Sequence, residues 1–379
     1  MVALGTSRDT GEVVTPARQE NAAQLPGLDL ERLFEYITKE LDSDIAGPMA
    51  ASLIAGGRSN LTYYLSDGTH DWVLRRPPLG HVLPTAHDMN REYTIISALA
   101  ESSVPVPRTI AYCGNPDVIG APFFIMERVA GRIYRSADDC AGLDDKEVLG
   151  IAEAFWDVLA DLHVLDPYEL GLASFGRPEG FAARQVSRWK RQLDASCTRE
   201  LPGATDLFEH LGASVPAPQR TSVLHGDYRL DNLVISPNGP QTVKAVLDWE
   251  MSTIGDPLMD LGIALLYWDG LEGIENPIVA DAARMGRFIP SDKLIERYCA
   301  RTGLSTSALF WYAGFAYFKF AAILEGIHCR FVKGLTVGEG FDRVAELVPL
   351  LIARGLDSVG KGVRGTPGYA PGSATSEEN

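Results

Sequence analysis

Basic charge is in short supply in this chain. Its 379 residues carry 34 Lys and Arg against 50 Asp and Glu, a formal charge of −16, whereas a nucleic-acid binder presents a basic face or stripe. No nucleic-acid partner is expected. Long apolar runs are missing as well: the most apolar stretch, residues 309–327, is interrupted by Lys319 and Glu325 and falls short of the roughly 18 uninterrupted apolar residues of a membrane span. Cysteine is sparse. Cys113, Cys140, Cys197, Cys299 and Cys329 are odd in number, far apart and without C-x-x-C spacing, which suits neither a disulfide framework nor a zinc knuckle. The first residues, MVALGTSRDTGEVV, hold no basic region followed by an apolar one, the layout of a secretory signal. A cytoplasmic protein with reduced thiols and no membrane partner is the expectation, and the oligomeric state has no signature in the sequence. What is present, 46% hydrophobic and 22% charged residues, suffices for one large domain or two of about 100–200 residues each.

Residues 1–26 and 358–379 are rich in Gly, Pro, Ser, Thr and charge and show no periodic apolar pattern, so both are expected to be flexible tails. Leu30, Leu33, Phe34, Ile37 and Leu41 recur at helical spacing behind Asp29, a candidate N-cap. ASLIAGGRSNLTYYLSDGTHDWVLRR, residues 51–76, reads as two or three short strands divided by Gly-Gly and Asp-Gly turns. A helix over His87–Ala100 and strands over Thr109–Cys113 and Phe123–Val129 follow. Beyond Gly131 helices dominate. In 145–164, Ile151, Ala154, Phe155, Val158, Leu159 and Leu162 form one stripe, and Asp144 and Glu147 have capping-box spacing. A β interlude at 221–250 contains Val223–Leu224, Leu233–Ile235 and Val243–Leu247, with a turn at Pro237-Asn238-Gly239-Pro240. Helical pattern resumes at 258–268, 291–301, 306–330 and 340–353, and no internal repeat is visible. The layout is a β-rich front lobe at 27–130, a hinge at about 127–130 and a larger, mainly helical lobe at 131–357.

The most informative segment is VLHGDYRLDNLVISPNGPQTVKAVLDWEMSTIGDPLMDLG, residues 223–262. It sets His225, Asp227 and Asn232 on a loop between strands and Asp248 at the end of the next strand, where a scaffold presents polar groups accurately. Oxygen donors from Asp and Asn suit a hard ion such as magnesium better than zinc. The H-x-D-x-x-x-x-N spacing filled by His225, Asp227 and Asn232 is that of the protein-kinase catalytic loop, in which the Asp accepts a hydroxyl proton and the Asn helps bind magnesium. Asp248, sixteen positions after Asn232, opens Asp-Trp-Glu where a kinase has the metal-binding Asp of Asp-Phe-Gly.

HGDYRLDN followed by VLDWE and GDPLMDLG resembles the aminoglycoside phosphotransferase and choline kinase-like family of small-molecule kinases. LIAGGRSNLTYYL is similar to the family's nucleotide-covering loop, VLRRPPLG to its third strand, MNREY to its helix and FFIMERVAG to its hinge, over about residues 28–355 in all. VLRRPPLGHVLPTAHDMNREY resembles the subgroup of kinase-like domains fused to acyl-CoA dehydrogenases. The resemblance implies an α+β, bilobal protein-kinase-like fold and an ATP- and magnesium-dependent phosphotransferase that moves the γ-phosphate to a hydroxyl of a small molecule. It makes Asp227 the catalytic base, Asn232 and Asp248 the magnesium ligands, and Arg75 the phosphate-contacting residue of the third strand, with Glu92 as its partner. Gly57, Ser59 and Asn60 would meet phosphate oxygens, and Glu127 and Val129 would offer backbone groups to adenine. Two features depart from the kinase pattern. Arg75 replaces a lysine, exchanging a point charge for a planar fork, and Gly56-Gly57 is followed by Arg58-Ser59-Asn60 rather than by further glycines.

His225, Asp256, Asp260 and His163 are read as structural: a loop-shaping hydrogen bond, a Gly-Asp-Pro turn, a helix start and a helix end. The aromatics between Phe310 and Phe320 are read as core. The acceptor stays open between an aminoglycoside, another amino alcohol or sugar, and a hydroxyacyl thioester, which the fused-dehydrogenase resemblance favours. A nucleotide-binding pseudokinase is the rival from another class. A protein kinase proper is disfavoured, because no Asp-Phe-Gly to Ala-Pro-Glu segment follows Asp248.

Overall fold

The computed structural model describes residues 25–40, 45, 47–54, 60–80, 87–197, 199–238, 241–274, 289–335 and 340–363. Most of both expected tails, the loop residues Gly57 and Ser59, and the second half of the turn at 237–240 lie outside the described residues. The chain forms two compact units. The first holds the residues up to Arg132 together with 234–239 and 243–250; the second holds 133–233, 240–242 and the residues from Met251 onward.

In the first unit, helix α1 (Leu30–Glu40) precedes strands β1 (Ala50–Leu53), β2 (Leu61–Ser66) and β3 (Asp71–Arg76), helix α2 (Met89–Leu99), and strands β4 (Thr109–Cys113) and β5 (Phe123–Glu127). Asp29 caps α1 by accepting the Arg32 N–H at 3.1 Å, and Asp88 caps α2 through Arg91. The strands make one antiparallel sheet in the order β1-β2-β3-β5-β4. The β2-β3 turn is held by Asp67 Oδ1, which accepts the N–H groups of Thr69 and His70, while Gly68 takes a φ of +88°. Strand alternation then sorts the side chains. Tyr63, Leu65, Trp72, Leu74 and Phe123 join Leu33 and Ile37 of α1 in one buried cluster. Arg75, one residue out of phase with Trp72 and Leu74, points to the opposite face.

The second unit contains α3 (Asp145–Val164), α4 (Phe181–Ser196), α5 (Ala204–Ala213) and the short strand β6 (Ser222–Leu224). Strands β7 (Leu233–Ile235) and β8 (Val243–Val246) pair with each other and belong almost wholly to the first unit. Strand β9 (Thr253–Gly255) returns to pair antiparallel with β6, and α6 (Leu258–Leu265), a π-helical turn at Leu266–Gly270, α7 (Ser291–Thr302), α8 (Leu309–Val332) and α9 (Val344–Val363) follow. The expected capping box is present: Asp144 Oδ1 accepts the Glu147 N–H and Glu147 Oε2 accepts the Asp144 N–H, both at 2.8 Å. Helix α8 is buried on almost every side, with Trp311, Tyr312, Phe315, Phe318 and Phe320 in the core; each such side chain contributes about 1.5–3 kcal/mol by burial.

Element ends differ from the sequence reading in places. Strand β5 stops at Glu127, and α9 runs on to Val363 with Val359 buried. Helices α4 and α5 and strand β9 were not singled out in the sequence. Four of the sixteen α4 residues are buried, and this narrow apolar stripe is a weak signal beside the density of charge on the rest of the helix.

Candidate active site

The candidate residues form two clusters, one in each unit. In the first, Arg75 is the centre. Its position on β3, paired with Thr62 of β2 and Phe124 of β5, makes its backbone rigid, and its side chain reaches α2 and the residues after β8. Nη1 lies 2.8 Å from Glu92 Oε1, and Nη2 donates to Asp248 Oδ1 at 3.1 Å. Glu92 is fully enclosed, whereas Asp248 keeps 34% of its side chain exposed. Burial works against the Arg75 charge, but Glu92, Asp248 and Glu250 more than offset it and hold the guanidinium above its ordinary value. Burial pushes the Glu92 carboxyl up to about 7 against the opposing pull of Arg75. Asp248 itself has a φ of +66°, a left-handed conformation that aspartate tolerates better than most residues. Such backbone strain costs on the order of 1–3 kcal/mol and clusters at functional sites.

Asn60 belongs to the same cluster. Its Nδ2 donates to Glu250 Oε2 at 3.0 Å, and its Oδ1 faces His87 Nδ1 at 2.8 Å. Because an amide oxygen only accepts, His87 carries its proton on Nδ1 here. Glu127, at the end of β5, gives its N–H to the Arg108 carbonyl at 2.9 Å and lays its carboxylate 3.7 Å from the Arg108 guanidinium. Val129 follows two residues on in irregular, partly exposed chain.

In the second unit, the loop after β6 is gripped from several sides. Asp260, buried on α6, accepts the N–H groups of His225 at 2.5 Å and Gly226 at 2.9 Å, with His163 Nε2 3.5 Å away. His225 Nδ1 accepts the Asp227 N–H at 3.2 Å. The structural readings of His225, Asp260 and His163 agree with these partners; His163 also shares a 2.7 Å hydrogen bond with Tyr298. Asp256 accepts from Leu258 N–H and the Tyr312 hydroxyl. Gly226 has a φ of +85°, and a Cβ there would meet the Met251 carbonyl oxygen at 2.5 Å, so only glycine fits. The Asp227 carboxylate, about a quarter exposed, lies 3.1 Å from Arg229 Nε and accepts a hydrogen bond from Tyr267.

Each unit offers an oxygen donor of the kind a hard cation takes. Asn232 Nδ2 donates to the Asp227 carbonyl at 2.9 Å, which leaves the amide oxygen as the group it has to offer. Asp248 offers a partly exposed carboxylate. Among the described residues no group of three or more His, Cys, Asp or Glu is arranged as an all-protein metal cage. Magnesium at nucleotide sites does without one, using one or two protein oxygens and the phosphates.

Sequence reasoning missed several members of these clusters. Glu250 sits in Asp-Trp-Glu, and its charge beside Asp248 was a usable signal. Lys319 was visible as a charge inside an apolar helix; its Nζ donates to the Gly226 carbonyl at 2.8 Å. His87, Arg229 and Tyr267 carried no distinguishing pattern.

A five-stranded antiparallel sheet with its strand-to-helix ion pair, followed by a mainly helical unit bearing the H-x-D loop, is a bilobal α+β fold of the protein-kinase-like class. Residues 50–300 match the phosphotransferase enzyme family, and the chain belongs to that family. Acyl-CoA dehydrogenase family member 11 of Gallus gallus is 36% identical over 319 residues, 82% of this chain and 40% of that protein. The chain thus spans about two fifths of the length of that curated relative. A crystal structure from Ralstonia eutropha, provisionally named an aminoglycoside phosphotransferase, is 32% identical with a TM-score of 0.76, covering 88% of this chain and 98% of that one. A thermostable aminoglycoside phosphotransferase crystallised with ADP and hygromycin B shares the fold at 14% identity and a TM-score of 0.57, over 88% of this chain and 99% of its own. Among the described residues no helix is long and apolar enough to cross a membrane.

Proposed function

We propose that this chain transfers the γ-phosphoryl group of ATP, with magnesium, to a hydroxyl of a small molecule. The observation that carries the reading is the Arg75 guanidinium held between Glu92 and Asp248. A fork fixed at two points presents its charge without further reorganisation, which is what stabilising the spread charge of a transferring phosphoryl group requires. Neighbours of the same fold bind ADP or GDP, which supports a purine nucleotide. Asn232 and Asp248 would hold magnesium, which neutralises phosphate charge when bound. Asp227 orients the acceptor hydroxyl and takes its proton; Arg229 and Tyr267 hold the carboxylate for that task. Glu127, through its carbonyl, and Val129 would offer backbone groups to the base, and Gly57, Ser59 and the Asn60 backbone would meet the phosphates, the Asn60 side chain being engaged by Glu250 and His87. The likeness to acyl-CoA dehydrogenase family member 11 favours a hydroxyacyl thioester over an aminoglycoside as acceptor. Retention of Asp227, Asn232 and Asp248 weighs against a pseudokinase.

Calorimetric titration with ATP and GTP, with and without magnesium, followed by an ADP-release screen over hydroxyacyl thioesters, amino alcohols and aminoglycosides, tests the reading. Asp227→Ala is expected to lower kcat by about 10²–10⁴-fold while nucleotide affinity stays near wild type. Asp248→Ala is expected to abolish the magnesium-dependent part of nucleotide binding. No nucleotide binding under any condition rejects the proposal.

A further inference from the structure

Lys319 lies in the middle of α8, on a helix that is otherwise apolar for most of its length. It is partly buried, its Nζ donates to the Gly226 carbonyl at 2.8 Å, and the ammonium stands 5.6 Å from the Trp189 ring centroid on α4. Enclosing an ammonium is costly unless its charge is used. Holding one carbonyl oxygen does not require a charge, since a neutral amide donor does the same.

The placement supplies the reason. The Gly226 carbonyl belongs to the peptide that joins Gly226 to Asp227. The N–H groups of His225 and Gly226 are already taken by Asp260, and that of Asp227 by His225. Lys319 therefore closes the remaining side of the same short segment, at the bond next to the proposed base. We propose that Lys319 is a positioning residue for phosphoryl transfer, fixing the 226–227 peptide and supplying the positive charge that balances Asp227 and Asp260. This rests on the phosphotransfer reading above.

The groups acting on Lys319 are known on each side. Asp227 on the loop and Asp260 on α6 favour its charged form, Arg188 on α4 opposes it, and burial lowers its pKa more than any of these. His163 Nε2 and the His225 N–H both lie against the same Asp260 carboxylate. On its own helix Glu325 is engaged by Arg199. An amine titrating below its usual range loses its charge as pH rises, so kcat should fall on the alkaline side.

The test compares Lys319→Met and Lys319→Arg with wild type by ADP release from about pH 6 to pH 10. Lys319→Met is expected to lower kcat about 10²-fold, the cost of a slight misplacement of a reacting group, to leave the nucleotide KM unchanged and to lose the alkaline fall. Lys319→Arg is expected to keep most of kcat and shift that fall to higher pH, since guanidinium does not titrate there. A readout without turnover is the NMR titration of the Lys319 side chain, whose pKa should drop in Asp227→Asn. An unchanged pKa there, or wild-type kcat and pH profile in Lys319→Met, overturns the proposal. Absence of turnover in the wild type on every acceptor instead rejects the phosphotransfer reading beneath it.

Discussion

Arg75 reaches two carboxylates at once because guanidinium nitrogens diverge in a plane. An ammonium in its place is a single point charge on a shorter head and lacks the two divergent donor edges that meet Glu92 and Asp248 here. Arg75→Lys is therefore expected to keep the fold and weaken magnesium-nucleotide binding about tenfold, the loss of one charge-assisted hydrogen bond; calorimetry on the purified variant measures it. Glu92 makes a separate prediction at the same scale. Its pKa rises on folding from 4.5 to about 7, chiefly by burial. Between those values the folded protein holds a proton that the unfolded chain has released, so this residue makes stability fall as pH rises through the window. Urea midpoints measured from about pH 5 to pH 7.5 should show that slope, and Glu92→Gln should flatten it.

Elements are where local sequence was most legible. Capping signals marked the starts of α1 and α3, because a cap is a contact within three or four residues and needs no partner from elsewhere. Asp144→Ala removes half of a reciprocal box and is expected to cost about 1 kcal/mol, read as a lower thermal midpoint with activity unchanged. Strands β2 through β5 were legible for a related reason: alternation in β2 and β3 and apolar density in β5 follow from which faces are buried. The missed elements were those whose signal is tertiary. Strand β9 has three residues and exists because β6 is beside it, and α4 is fixed by packing on α8.

For the whole molecule, the charge of −16 sets a self-repulsion that salt screens. The thermal midpoint is expected to rise between about 0.05 and 0.5 M sodium chloride; a flat or falling profile would mean that local ion pairs such as Arg297 with Asp157 and Arg301 with Asp161 dominate instead. By itself the sequence determined the fold class and offered a short list of candidate polar residues, because motif spacing along a loop is a local property. Which of those residues meet was decided by the tertiary structure. Arg75 and Asp248 are 173 positions apart, Asn60 and Glu250 190, and Gly226 and Lys319 93. No periodicity or motif spans such separations. Contacts of this kind exist only once the sheet and helices have packed and burial has driven most polar groups to pair.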